Sequence, residues 1–277
     1  KNRFPNADVK DEKFMTEQIL DIADEVQAYI NKSYNYFSSK FLNIHGDHRF
    51  EIKQEMIAKA AFWVTKKRYG QWIINDSGTP CEKLDVKGLD IVRSSFPPAF
   101  RDFMTKVLKA ILAKVPKERI DEFILEFKGN LKNEELDKIA LPTGVKGIKK
   151  YTKKKSKGGF GGSGKGIFTE MMKGAPVHTK ASVIYNDLLR YFKANKHEAI
   201  SNGNKVRWVY LKENPLKIDG LAYKGYDDPK QIIDFINQYV DRDKLFDKAL
   251  KKKIQMFYDA MSWDMPVDKK NSIERFF

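Results

Sequence analysis

A chain of 277 residues is long enough for one large or two modest domains with real cores. With 42% hydrophobic and 32% charged residues it reads as globular. It has neither the apolar run a membrane-spanning helix needs nor the apolar core of a signal peptide. One cysteine, Cys81, excludes an internal disulfide framework and predicts a reducing, cytoplasmic setting. Lys plus Arg number 52 against 37 Asp plus Glu, and the net charge of +15 predicts a polyanionic partner, of which nucleic acid is the commonest large one.

The chain opens on Lys1, as a processed, cleaved or excised chain does. Met15, Ile19, Ile22, Val26, Ile30, Phe37 and Phe41 recur at three- and four-residue spacing, which predicts a long amphipathic helix over 12–40. Phe50 and Ile52 alternate with charged residues and read as a strand with one wet face. The aromatic and β-branched run 61–76 reads as a strand closing at the Asp76-Ser77-Gly78 turn, with another strand over 84–92. Cys81 falls in the following Gly-Thr-Pro-Cys-Glu-Lys turn and is read as inert.

From Pro97 the period becomes helical. Phe100, Phe103, Val107, Ile111 and Val115 share one face, with Pro97 and Pro98 at the start, where a missing N–H costs nothing. A second helix is predicted over 117–128. The segment 144–166 is rich in glycine and lysine and is compositionally flexible; seven lysines and no acid lie between Lys146 and Lys157. Then come a helix over 181–193, strands over 206–211 and 220–224, helices over 229–239 and 242–260, and a tail. The predicted class is α+β in two domains.

Lys66-Lys67-Arg68-Tyr69, flanked by Trp63 and Trp72, is the first candidate site. Read as a strand, it aims Lys67 and Tyr69 at one face, a pairing suited to a nucleic-acid backbone; the plainer reading is a solvated basic edge. Lys87-Gly88-Leu89-Asp90-Ile91-Val92-Arg93-Ser94-Ser95 is the second. Gly88 allows close approach to a ligand, and Arg93 and the serines suit phosphate; the plainer reading is a strand end with a cap at Ser95. Gly159 to Gly166 nearly spells a P-loop, but glycine stands where the Mg²⁺-binding hydroxyl belongs. Asp241-x-Asp243 opens a helix, where acids are routine. His45 and His48 lack further ligands nearby and read as surface turn residues.

In this order, Lys-Lys-Arg-Tyr and then Lys-Gly-Leu-Asp-Ile-Val-Arg resemble the palm-to-thumb region of family B DNA polymerases of the T-even-phage type. Pro176-Val177-His178-Thr179-Lys180, followed by Tyr185-Asn186, resembles the family's thumb motif, and residues 206–225 its thumb hairpin. The C-terminal Asn-Ser-Ile-Glu-Arg-Phe-Phe resembles a sliding-clamp-binding tail, although Lys270 stands where many such tails use glutamine. The resemblance covers roughly residues 45–277.

The resemblance implies a small antiparallel sheet completing a polymerase palm over 1–95, a mostly helical thumb over 96–265 and a clamp-binding tail over 266–277. It implies that Lys66, Lys67, Arg68 and Tyr69 meet DNA, with Lys67 at the minor groove near the primer end and Tyr69 supporting the primer strand. Every base shows an acceptor in that groove, so one lysine can test pairing without reading sequence. It further implies primer contacts at Lys87, Arg93 and Ser94, duplex contacts at His178, Lys180, Tyr185 and Asn186, and clamp contacts at Ile273, Phe276 and Phe277. Lys87 follows the wider family rather than the T-even relatives.

The family's Asp-Thr-Asp and Asp-x-x-Ser-Leu-Tyr-Pro motifs and its nucleotide-binding lysine helix are missing. Two-metal phosphoryl transfer needs those carboxylates. The expectation is a chain with no metal or cofactor of its own, inactive alone, serving a polymerase that uses Mg²⁺. The implied partners are primer-template DNA, a sliding clamp and an N-terminal polymerase chain carrying exonuclease, fingers and catalytic palm. If the source is viral, the setting is the host cytoplasm. The alternatives are a stand-alone, non-sequence-specific DNA-binding accessory protein and, more distantly, a nucleoside triphosphatase built on the glycine loop.

Overall fold

The computed structural model describes residues 11–152 and 167–267. The glycine-rich near-P-loop, Lys153–Lys155 and the proposed clamp contacts Ile273, Phe276 and Phe277 lie outside them. The chain divides into two compact units, Lys1–Gly88 and Leu89–Phe277. Its class is α+β, with two small antiparallel sheets of three strands each among the described residues.

The first unit begins with α1 (Glu12–Phe41), whose N-cap Asp11 accepts from the Phe14 N–H at 3.0 Å. No strand forms at Phe50 and Ile52, contrary to the alternation read from the sequence. Side-chain amides on α1 take the backbone groups a strand partner would have taken. Asn31 donates to the Ile52 carbonyl at 3.1 Å and accepts the Ile52 N–H at 2.8 Å, and Gln27 accepts the Gln54 N–H at 2.8 Å. His48 Nδ1 accepts the Phe50 N–H at 3.2 Å, so its Nε2 carries the proton it shares with Asn35 Oδ1 at 2.8 Å. Tyr34, Phe37, Phe41 and Phe50 pack ring against ring beside this tether.

A meander follows: β1 (Met56–Thr65), β2 (Arg68–Asp76) and β3 (Thr79–Lys87), in the order β1-β2-β3. The run 61–76 is therefore two strands and not one, because Lys66 and Lys67 form a reversal between the partners Thr65 and Arg68. The second turn is the one expected, with Ser77 (φ 52°) and Gly78 (φ 84°) both left-handed, as tight hairpins require. Cys81 lies within β3 rather than in a turn. Gly88 ends β3, so the strand read through Val92 stops short.

The second unit opens with a single 3-10 turn, Asp90–Val92, and α2 (Pro98–Leu112). Pro97 is the N-cap, which leaves Ser95 outside the helix. Phe100, Phe103, Met104, Val107, Leu108 and Ile111 form the buried face of α2, and each such side chain is worth roughly 1.5–3 kcal/mol of burial. Val115 lies past the helix end. Helix α3 (Lys117–Asn130) packs against α2 through the stacked rings of Phe103 and Phe127, 4.2 Å apart.

After α4 (Leu136–Ile139), a strand absent from the sequence reading, β4 (Leu141–Gly144), pairs with β5 (Lys205–Tyr210), which pairs with β6 (Gly220–Tyr223). A short helix, α5 (Ile148–Tyr151), follows β4. Helix α6 (Val177–Tyr191) packs on β6 and begins four residues before the predicted start, with Pro176 as N-cap. The chain closes with α7 (Lys230–Tyr239) and a continuous helical run built from α8 (Arg242–Leu245), a π-helical stretch (Phe246–Lys251) and α9 (Lys252–Ala260). Asp241 caps α8 by accepting the Lys244 N–H at 2.9 Å, the routine role expected for that acid.

Two buried phenols tie these elements together. Tyr223 donates to Asp137 Oδ1 at 2.8 Å and Tyr258 donates to Asp121 Oδ1 at 2.6 Å. Burial first, and then the neighbouring carboxylate, pushes both phenols far above their ordinary range, so they serve as permanent donors.

Candidate nucleic-acid interface

In the first unit the two sequence motifs meet. Lys66 and Lys67 are exposed at the β1–β2 tip, where Lys67 adopts φ 63°, uncommon for a side-chain-bearing residue. Gly88 (φ 68°) sits directly against this tip: a Cβ there would lie 2.1 Å from the Lys67 carbonyl oxygen. Arg68 Nε donates to the Gly88 carbonyl at 3.2 Å, knitting strand end to turn. The close approach that Gly88 permits is thus to the chain's own backbone, and not to a ligand as the sequence suggested. The alternation that was to align Lys67 with Tyr69 does not operate either, because Lys67 is a turn residue.

What shares a face is set by register. Trp63 opposes Tyr69, and Tyr69 opposes Lys87, so the three form a row across β1, β2 and β3. The Trp63 and Tyr69 ring centroids are 6.3 Å apart. A register shift between Trp63 and Thr65 places a bulge beside the tip, which re-aims the neighbouring side chains. Lys87 Nζ lies 3.1 Å from Asp85 Oδ1, and Gln71 Nε2 donates to Asp85 Oδ2 at 3.3 Å. Asp85 was not singled out from sequence, although Asp-x-Lys at strand period two carries that signal.

In the second unit Arg93 pairs with Asp90 at 3.0 Å, and Lys253 of α9 reaches the other Asp90 oxygen at 2.9 Å. Asp90 is buried between the two cations, which leaves Arg93 anchored at one end and still largely exposed. Ser94 is exposed beside it.

The other basic surface gathers around α5 and the start of α6. Thr179 Oγ1 donates to the Lys146 carbonyl at 3.3 Å, which holds the exposed Lys146, Lys149 and Lys150 near His178 and Lys180. Lys180 is exposed, and His178 is partly buried, with burial depressing its imidazole below the ordinary value. Near neutral pH His178 is therefore a hydrogen-bonding group rather than a cation.

Tyr185 is fully buried, and burial first, then the neighbouring Asp228 carboxylate, raises its phenol far above the ordinary range. Asn186 spends its amide on Ile200, donating to the carbonyl at 2.8 Å and accepting the N–H at 2.7 Å. In this conformation neither offers its polar group to a duplex; both fix α6 from inside. Asp187, missed from sequence, is buried and accepts from Thr169 N at 2.6 Å and Thr169 Oγ1 at 2.7 Å while pairing with Arg190. It anchors the chain at Thr169 to α6. Thr152 and Met171 form an isolated bridge at the same base.

Among the described residues no three His, Cys, Asp or Glu side chains gather so as to hold a metal ion, and no helix is long and apolar enough to cross a membrane. His45 Nε2 meets Asn43 Oδ1 at 2.9 Å, and both ring nitrogens of His48 are engaged within the tether.

The family model for DNA polymerase family B matches residues 9–260, so the chain belongs to that family and its function is DNA-polymerase-related. The family's reaction is nucleotidyl transfer. No curated protein matches the chain.

Proposed function

We propose that this chain is the distal palm and thumb of a T-even-type family B polymerase, serving as one piece of a split enzyme. It grips primer-template DNA while another chain supplies exonuclease, fingers, the catalytic aspartates and, through them, Mg²⁺. The observation that carries the reading is the junction at Gly88, which puts Lys66, Lys67, Tyr69 and Lys87 at one end of one small sheet. A lysine pair and a tyrosine in a row with a lysine suit a duplex whose backbone is charged and whose minor groove presents acceptors. Lys66, Lys67, Arg68, Tyr69, Lys87, Arg93, Ser94, His178 and Lys180 are the proposed contacts, and Tyr185 and Asn186 position α6 from within. Ile273, Phe276 and Phe277 are the proposed clamp contacts.

Helix α1 supports the second chain. Ser38 is the one buried residue among those described in it, while Ile19, Val26, Phe37 and Phe41 of the predicted apolar stripe are exposed. A stripe of that length open to water is the mark of a protein–protein contact face. The test is primer extension. The purified chain with Mg²⁺ and primer-template is expected to bind DNA without incorporating nucleotides, and to gain incorporation when a chain bearing the family's aspartate motifs is added. Incorporation by the chain alone overturns the split. Binding that no such chain ever converts to extension favours the accessory-protein reading.

A further inference from the structure

Trp63 is the most exposed of the four tryptophans: it is 61% accessible, whereas Trp208 is buried and Trp72 and Trp263 are partly covered. Nothing in the fold of the first unit requires an indole at that position. Its neighbour Phe62, on the other face of β1, is buried and does the packing. Trp63 instead stands at the end of the row Trp63–Tyr69–Lys87, beside the exposed Lys66-Lys67 tip, with its ring 6.3 Å from that of Tyr69.

An exposed apolar plane contributes nothing to stability in water, but it gains when covered by another apolar plane. In duplex DNA the apolar surface next to the phosphates is the deoxyribose wall of the minor groove. With Lys66 at a phosphate and Lys67 in the minor groove, a ring beside them on the same sheet meets sugars. We propose that Trp63 is a further DNA contact of the polymerase site, packing its indole on the deoxyribose wall of the primer-template duplex beside the strand that Tyr69 touches. This rests on the reading of the chain as a polymerase thumb-and-palm piece, and it extends the contact row by one residue towards the β1 edge.

The test uses the whole chain and a primer-template duplex titrated over a range of salt. Trp63→Ala is expected to weaken binding roughly five-fold or more, the low end of what an aromatic contact to a nucleotide is worth. The log–log salt slope should stay unchanged, because no phosphate contact is lost. Trp63→Phe should recover most of the affinity. Acrylamide quenching reads the same contact directly: duplex should shield a fluorescence component that is absent from Trp63→Phe.

If Trp63 merely props up the hairpin, the alanine variant will displace Lys66 and Lys67 and lower the salt slope together with the affinity, which overturns the proposal. Unchanged affinity, or shielding by single strands but not by duplex, overturns it as well. Failure of the unmodified chain to bind primer-template at all removes the polymerase reading itself, a different result from binding that ignores Trp63.

Discussion

Replacing Gly88 with alanine attacks the junction on which the first site depends. The new methyl carbon would lie 2.1 Å from the Lys67 carbonyl oxygen and 3.2 Å from Arg68 Cγ, so the backbone of the tip must retreat by on the order of 1 Å to reach ordinary contact. The left-handed conformation at φ 68° adds about 1–2 kcal/mol for any residue with a Cβ. A stability loss of about 2 kcal/mol or more is expected, read as a fall in the thermal midpoint of the first unit. Displacing a positioning element by an ångström costs on the order of a hundred-fold in rate, so extension by the reconstituted enzyme should fall far more than the duplex affinity of the whole chain. Gly88→Asn separates the two causes, because asparagine tolerates the left-handed region but keeps the Cβ: it should recover stability in part and activity hardly at all. If Gly88→Ala melts and extends like the unmodified protein, the tip does not depend on the glycine and the junction argument fails.

Lys67→Ala, which leaves the backbone preference at φ 63° about as unfavourable as before, should impair extension from a paired primer end more than from a mismatched one; equal slowing of both would reduce Lys67 to a phosphate contact. Substituting Lys149 and Lys150 together with Lys153, Lys154 and Lys155 should flatten the salt dependence of binding by about 0.9 in slope for each phosphate contact removed, and an unchanged slope would take the duplex off this surface. Deleting residues 271–277 should spare single-nucleotide addition but shorten products made with the clamp loaded, since a tether keeps each dissociation local; full-length clamp-dependent products from the truncated chain would place the clamp contact elsewhere.

Periodicity was a good guide wherever one chemical signal dominated. The stripe from Met15 to Phe41 marked α1 almost to the residue, Pro97 and Pro98 marked the start of α2, and Ser77-Gly78 marked a hairpin turn. The tip at Lys66-Lys67 was illegible because it uses lysine in a left-handed conformation, where sequence rules look for glycine or asparagine. β4 was missed because Leu-Pro-Thr-Gly carries two residues that normally argue against a strand, and pairing with β5 overrides them. Of the candidate site, residue types and order were readable, since basic and aromatic residues announce a polyanion. Register was not readable. Only the pairing of Trp63 with Tyr69 and of Tyr69 with Lys87 says which of those residues act side by side.

The tether along α1 has a geometric consequence of its own. Gln27, Asn31 and Asn35 are spaced four residues apart on the helix, about 6.0 Å of rise, while the segment they hold runs the other way in steps of two extended residues, about 6.6 Å. The two rulers drift apart by roughly 0.6 Å with each repeat, about 1.2 Å by the third rung. Gln27 to Gln54 and Asn31 to Ile52 are direct contacts, but the next rung, Asn35 to Phe50, is bridged by the ring of His48. The imidazole acts as a shim that takes up the mismatch, its two nitrogens facing opposite ways across the gap. Shortening that shim to asparagine or serine would leave the first two rungs in place and unzip the third, so that the aromatic cluster around Phe50 loosens while Gln54 and Ile52 stay tied to the helix.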